Sequence, residues 1–149
     1  MAASGFRSVV ESLLAEGLRV RFRAAGRSMM PTVRDGECLI VAPVRAAEVS
    51  RGDVVLGATW RRLVAHRVVG LTLDARGGRV LTLRGDGSDE ADAPVDASRV
   101  LGQVVAVERD GRALSVAPTI GGRLRLARRM LAPLVAAAWA RLARRPISV

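Results

Sequence analysis

The chain has 149 residues, enough for one domain with a real core. Half of them are hydrophobic, but only four are Phe or Trp and none is Tyr, so Val, Leu and Ala must build that core. All 24 basic residues are Arg, which rules out chemistry by a lysine amine; a single Cys and a single His rule out an internal disulfide and a Cys/His zinc set. The net charge of +10 is unevenly spread. Residues 1–120 hold 17 Arg against 14 acidic residues, whereas residues 121–149 hold seven Arg and no acid. The basic excess belongs mainly to the tail, and few aromatic rings are present for base stacking. Nucleic acid is therefore not the expected partner.

In chain order, Phe6, Val9, Val10, Leu13 and Leu14 recur at helical spacing, with Gly17 where a C-cap belongs. The pattern predicts a short amphipathic helix over 5–16 within an N-terminal segment 1–17. Glu11 and Glu16 interrupt it, so it is not the pattern of a secretory signal, and it is too short to span a bilayer, which takes roughly 20 apolar residues. Residues 18–24 alternate strictly between apolar residues and Arg, which predicts a half-buried strand with an arginine face. Further strands are predicted at 38–42, 54–57, 63–73, 79–83, 100–108 and 113–116, each set off by turn residues such as Arg34-Asp35-Gly36, Arg51-Gly52-Asp53 and Asp110-Gly111. Residues 18–120 thus read as a mainly β, antiparallel domain.

After Gly121-Gly122 the composition changes to Ala, Leu and Arg. Residues 121–149 predict a basic amphipathic C-terminal helix, kinked or restarted at Pro133, with an apolar stretch over 130–140 that is too short to cross a membrane. It has two readings. One is a helix packed on the β domain with solvated arginines. The other is peripheral association with an anionic membrane, with Trp139 at headgroup level.

Three segments carry chemistry. In Gly26-Arg27-Ser28-Met29-Met30-Pro31-Thr32, a serine follows a predicted strand, in a turn whose amides could bind an oxyanion. Local capping is the plain alternative for such a serine. In Leu63-Val64-Ala65-His66-Arg67, the only histidine sits in an apolar strand, where it could equally be structural. An imidazole nevertheless titrates near about pH 6.5, which suits a general base. In Arg84-Gly85-Asp86-Gly87-Ser88-Asp89-Glu90-Ala91-Asp92, an acidic loop follows a strand. It is either a solvated turn or a source of carboxylate, and its spacing does not fit a calcium loop. No metal or cofactor is expected. A serine hydroxyl needs a base to become a nucleophile, and an imidazole base needs a carboxylate to fix its tautomer. The three segments supply one of each.

Gly26-x-Ser28-Met29-x-Pro31-Thr32, Gly52-Asp53-Val54-Val55, His66-Arg67-Val68-Val69, Arg84-Gly85-Asp86 and Val100-Leu101-Gly102-Gln103-Val104-Val105 together resemble, in order and spacing, the boxes of the signal peptidase I and self-cleaving-repressor clan. The resemblance covers roughly residues 18–108. It implies Ser28 as nucleophile. It implies His66 as base, in the manner of the archaeal and endoplasmic-reticulum members rather than those with a lysine. It implies Asp92 as the orienting acid, six residues after the Gly-Asp aspartate, which is Asp86. It further implies a coiled antiparallel sheet, cleavage of signal or leader peptides after small residues, and an extended substrate beside the strand that leads to the serine. The chain resembles short, unanchored bacterial relatives, cytoplasmic or peripheral at the inner membrane. Gly26 stands where some members carry a hydroxyl that assists the oxyanion hole, so the Ser28 amide carries more of that task. The competing readings are an idle β domain that binds an extended peptide and a basic membrane-associated protein.

Overall fold

The computed structural model describes residues 2–59 and 62–116, and its first element is helix α1 (Ala2–Ala15). Val10 and Leu14 of α1 are buried and Leu13 is half-buried, while Phe6 and Val9 stay exposed. The helix ends in a Schellman motif. Gly17 N–H donates to the Leu14 carbonyl (3.1 Å) and Leu18 N–H to the Leu13 carbonyl (2.9 Å). Gly17 adopts φ +84°, which costs a glycine nothing and most other residues about 1 kcal/mol. The helix is one residue shorter than expected at its C-terminal end and three longer at the other. Because Leu18 serves the helix cap, the strand expected over 18–24 begins only at Val20.

Among the described residues eight strands follow: β1 (Val20–Arg23), β2 (Cys38–Ala42), β3 (Val54–Ala58), β4 (Leu63–Leu73), β5 (Arg79–Arg84), β6 (Val95–Asp96), β7 (Val100–Arg109) and β8 (Arg112–Ser115). They form one sheet in the order β1-β2-β7-β3-β4-β5-β6, with β8 also on β7, and every pairing is antiparallel. The expected mainly β, antiparallel body is what the chain forms. The sequence pattern missed β6, because two residues carry no periodicity. Asp110 (φ 50°) and Gly111 (φ 72°) close the β7–β8 hairpin with both central residues left-handed, the geometry that Asp-Gly favours.

The long strand β7 organises the sheet. Residues 103–108 pair with β2 along one edge; on the other, residues 100–103 pair with β3 and residues 106–109 with β8. Register shifts at Ile40/Val41, Leu56/Gly57 and Val68/Gly70 bend the ribbon, as bulges do, and the sheet curls. The curl gives two cores. Val10, Leu14, Leu39, Val41, Leu56, Val104 and Val107 fill the first, beneath α1; Val49, Val55, Val68, Leu81 and Ala97 fill the second. Consecutive residues of β3 point to opposite faces, so Val54 and Leu56 serve one core and Val55 the other. That is why β3 reads as an apolar run and does not alternate. Leu56 is 1% exposed, and trimming it to Ala would cost about 2–5 kcal/mol.

Among the described residues no helix is long and apolar enough to cross a membrane. The described residues belong to one compact unit, residues 1–117. The C-terminal helix expected over 121–149, with Pro133 and Trp139, lies outside the described residues.

Candidate active site

Between β1 and β2 the chain makes a long excursion that carries Ser28. Ala24 leaves the ladder by donating to the Glu37 carbonyl (2.8 Å) and accepting from Gly36 N–H (2.9 Å). Gly26 N–H is then caught by the Asp35 carboxylate (2.8 Å). Ser28 opens the turn that follows, in which Met30 N–H donates to the Arg27 carbonyl (3.1 Å) and Val33 N–H to the Met29 carbonyl (2.9 Å). Met29 and Val33 are buried and anchor the turn in the first core, which leaves Ser28 exposed on its outer side.

His66 reaches this serine from the middle of β4. Its Nε2 lies 3.1 Å from Ser28 Oγ, and its Nδ1 lies 2.5 Å from Asp92 Oδ2. A carboxylate only accepts, so Nδ1 carries the proton and donates to Asp92, leaving the Nε2 lone pair to accept from the Ser28 hydroxyl. The histidine side chain is 12% exposed and that of Asp92 43%, so the imidazole is sheltered while the carboxylate is open to water. The Asp92 N–H donates to the Leu83 carbonyl (2.7 Å), which fixes the acidic loop against the end of β5.

Asp86, the other carboxylate that the sequence puts forward, does not meet His66. Its two oxygens take a bidentate pair from Arg67 (Nε to Oδ1 2.7 Å, Nη2 to Oδ2 2.5 Å), and Oδ2 also accepts from the Thr32 hydroxyl (2.5 Å). Arg67 follows His66 on β4 and so points to the opposite face. There it also donates to the Gly52 carbonyl (2.8 Å). Burial raises the Asp86 carboxyl, but the bonds from Arg67 and Thr32 outweigh it, and the net shift is downward from 3.8. Asp86 is thus an ionised tie between β4 and the turn that holds Ser28.

Further contacts that the sequence pattern did not reveal hold that turn. Gly87 N–H donates to the Ser28 carbonyl (2.9 Å). Gly85 lies so close that a Cβ there would sit 2.3 Å from the same carbonyl oxygen, so only glycine fits. Glu37 accepts from Arg34 N–H (2.8 Å) and pairs with Arg109 of β7, which also reaches the Thr32 carbonyl (3.3 Å). The hydrogen bond from Arg109 holds the Glu37 carboxyl down at about 2. In sequence these partners are Gly and charged residues like many others, and only the three-dimensional approach singles them out.

The Ser28 hydroxyl opens into a cleft of about 430 Å³. Residues 22–28 form one wall and residues 62–66 the other, with Leu39 and Leu56 beneath and Phe6 and Arg7 of α1 at one end. Phe6 meets Phe22 edge-on, ring centres 5.5 Å apart. Arg7 spans from Glu11 (2.7 Å) to the Thr59 carbonyl (2.8 Å) and ties α1 to the end of β3. Among the described residues no group of three or more His, Cys, Asp or Glu could hold a metal ion, and nothing accepts from the Ser28 N–H. Hydroxyl, imidazole and carboxylate in one hydrogen-bonded line beside an unspent amide can perform acyl transfer. No protein-family model matches the chain, and neither does any curated protein.

Proposed function

We propose that the chain is a serine endopeptidase of the signal-peptidase type, cleaving signal or leader peptides after small residues. The observation that carries the reading is the line Ser28 Oγ–His66–Asp92, at 3.1 and 2.5 Å, open to a cleft. His66 Nε2 takes the hydroxyl proton as Ser28 Oγ attacks the substrate carbonyl. The Ser28 N–H stabilises the oxyanion, and Asp92 stabilises the imidazolium. His66 then returns the proton to the leaving amine, and water releases the acyl group by the same route.

The walls of the cleft support an extended substrate. In a strand, alternate residues turn their N–H and C=O to opposite edges. Arg62 C=O accepts from Thr59 N–H (2.8 Å) and Val68 N–H donates to the Asp53 carbonyl (2.8 Å), so residues 62, 64, 66 and 68 face β3. Leu63 and Ala65 therefore face the other edge, where β5 pairs β4 only from Arg67 onward. On β1, Ala24 is spent on the hairpin and Arg23 and Ala25 face outward. Two strand edges thus border the cleft, and a peptide laid between them gains hydrogen bonds from both. Leu39 and Leu56 fill the floor, which favours small side chains there. The same edges would serve a domain that binds peptide without cutting it, so chemistry must be tested directly.

The full chain is incubated with precursor peptides bearing small residues at the junction, and products are read by mass spectrometry. Ser28→Ala and His66→Ala should each lower turnover by about 10⁴-fold or more, with melting temperatures close to that of the parent. A fluorophosphonate should add its mass at Ser28. Cleavage by Ser28→Ala at the parent rate would remove the serine-peptidase reading.

A further inference from the structure

The charge lining the cleft has one sign. Arg7, Arg23, Arg27 and Arg62 line it, and among the described residues no Asp or Glu does. Elsewhere in the β body, Arg21, Arg45, Arg67 and Arg109 meet a carboxylate, while other arginines such as Arg51, Arg76 and Arg84 have no ion pair among the described residues, so it is the one-sided lining that sets the cleft apart. At the cleft, Arg7 is paired with Glu11, and Arg23 gives one N–H to the Gly36 carbonyl (3.0 Å) but meets no carboxylate among the described residues. Arg27 and Arg62 are exposed, and neither has an ion pair among the described residues.

We propose that Arg27 and Arg62 make this cleft selective for acidic peptides, as the specificity-determining residues of the proposed peptidase. Their places along the cleft give the spacing. Arg27 adjoins Ser28 and lies beside the scissile bond. Arg62 lies four residues before His66, at the entry to β4 and on the same face, because side chains repeat every second residue. At about 3.3 Å per residue that is roughly 13 Å from the reacting carbonyl, or four residues of an extended substrate. The substrate class is therefore an extended peptide with small residues at the floor and Asp or Glu both next to the scissile bond and about four residues from it. Guanidinium recognises carboxylate through two parallel N–H donors, which a lysine could not match. At an exposed rim each such pair favours acid over neutral by up to about fivefold, and salt weakens the preference.

This inference rests on the peptidase reading, and its test separates the two. Full-length Ser28→Ala is titrated, by fluorescence anisotropy, with three ten-residue peptides sharing a small-residue centre and carrying Glu, Gln or Lys at the two flanking positions. The acidic peptide should bind at least tenfold more tightly than the basic one in low salt, with the gap narrowing as salt rises. Adding Arg27→Glu and Arg62→Glu should reverse the order, a gain for the basic peptide that a misfolded variant could not give. Equal binding of all three, no binding, or an unchanged order after charge reversal would overturn the inference. So would equally effective competition by a single-stranded oligonucleotide or by anionic vesicles, which would mark a general polyanion surface. If the parent chain cleaves all three peptides equally well through Ser28, the peptidase reading stands and the acid preference falls. If the acidic peptide binds in the expected order but is not cut, the preference stands and the peptidase reading falls.

Discussion

Residues 85–87 and residues 88–92 belong to one loop and each end carries an aspartate, yet the two ends do different work. The first end is locked. Asp86 is 15% exposed and holds Arg67 and Thr32, while Gly85 and Gly87 press on the Ser28 carbonyl. The second end is open, with Asp92 at 43% exposure and its carboxylate on His66 alone among the described residues. A largely buried carboxylate with an arginine partner acts on the fold. An exposed one touching only the imidazole acts, in the proposed mechanism, on the charge that the imidazole acquires.

The sharpest way to break that comparison is to neutralise each end in turn. Asp92→Asn should lower turnover by about 10²–10³-fold, less than the roughly 10⁴-fold cost for a buried triad acid, because water already screens Asp92. Its stability should stay within about 0.5 kcal/mol of the parent, as for other exposed sites. Asp86→Ala should do the reverse in kind. It strands the Arg67 guanidinium, 16% exposed, and removing one member of such a pair costs about 3–5 kcal/mol. Paired denaturant melts and kinetics on both variants read the contrast. Equal stability losses for the two would erase it.

How much of this is legible in sequence follows from where the information sits. Strand positions are legible because turn residues and apolar runs are local signals. The end of α1 is legible from Gly17, though not the cost to β1 when Leu18 joins the helix cap. The gathering of Ser28, His66 and a loop carboxylate is legible as a set of types in a familiar order. The residues alone do not say which carboxylate meets the imidazole, because Asp86 and Asp92 lie in one loop. Strand alternation decides it: His66 and Arg67 are neighbours on opposite faces of β4, and each takes the aspartate on its own side. The clamp on Ser28 by Gly85, Gly87 and the Glu37–Arg109 pair is not legible, because it depends on contacts between residues some fifty to seventy positions apart.

That clamp has a signature in acid. Arg109 lowers the Glu37 carboxyl from the ordinary 4.5 to about 2, and Asp86 is shifted in the same direction. A carboxyl depressed in the folded state binds its proton more readily when unfolded, so its contribution is complete above the unfolded value and declines as pH falls. The melting temperature should therefore hold from neutrality down to about pH 5, then fall as pH drops from 4.5 toward 2. Glu37→Gln should flatten that fall. A profile for Glu37→Gln identical to the parent's would place the acid-sensitive tie elsewhere.

The smallest effect tests whether the locked end is separate from the chemistry. Thr32→Val keeps the shape of the side chain and removes one donor, the hydroxyl that reaches Asp86 at 2.5 Å. Both Asp86 oxygens keep their bonds from Arg67, so no acceptor is orphaned, and the loss should sit near the low end for a charge-assisted bond, about 1.5 kcal/mol. The turn itself keeps its place, because the Gly87 bond to the Ser28 carbonyl and the Glu37–Arg109 pair remain. Turnover should thus fall less than tenfold. Thr32 and Asp92 share no partner, so their stability changes should add within about 0.5 kcal/mol, whereas Thr32→Val combined with Asp86→Ala should fall well short of additivity. If Thr32→Val lost as much turnover as Asp92→Asn, the tie through Asp86 would itself be part of the chemistry, and the division of labour within the loop would not hold.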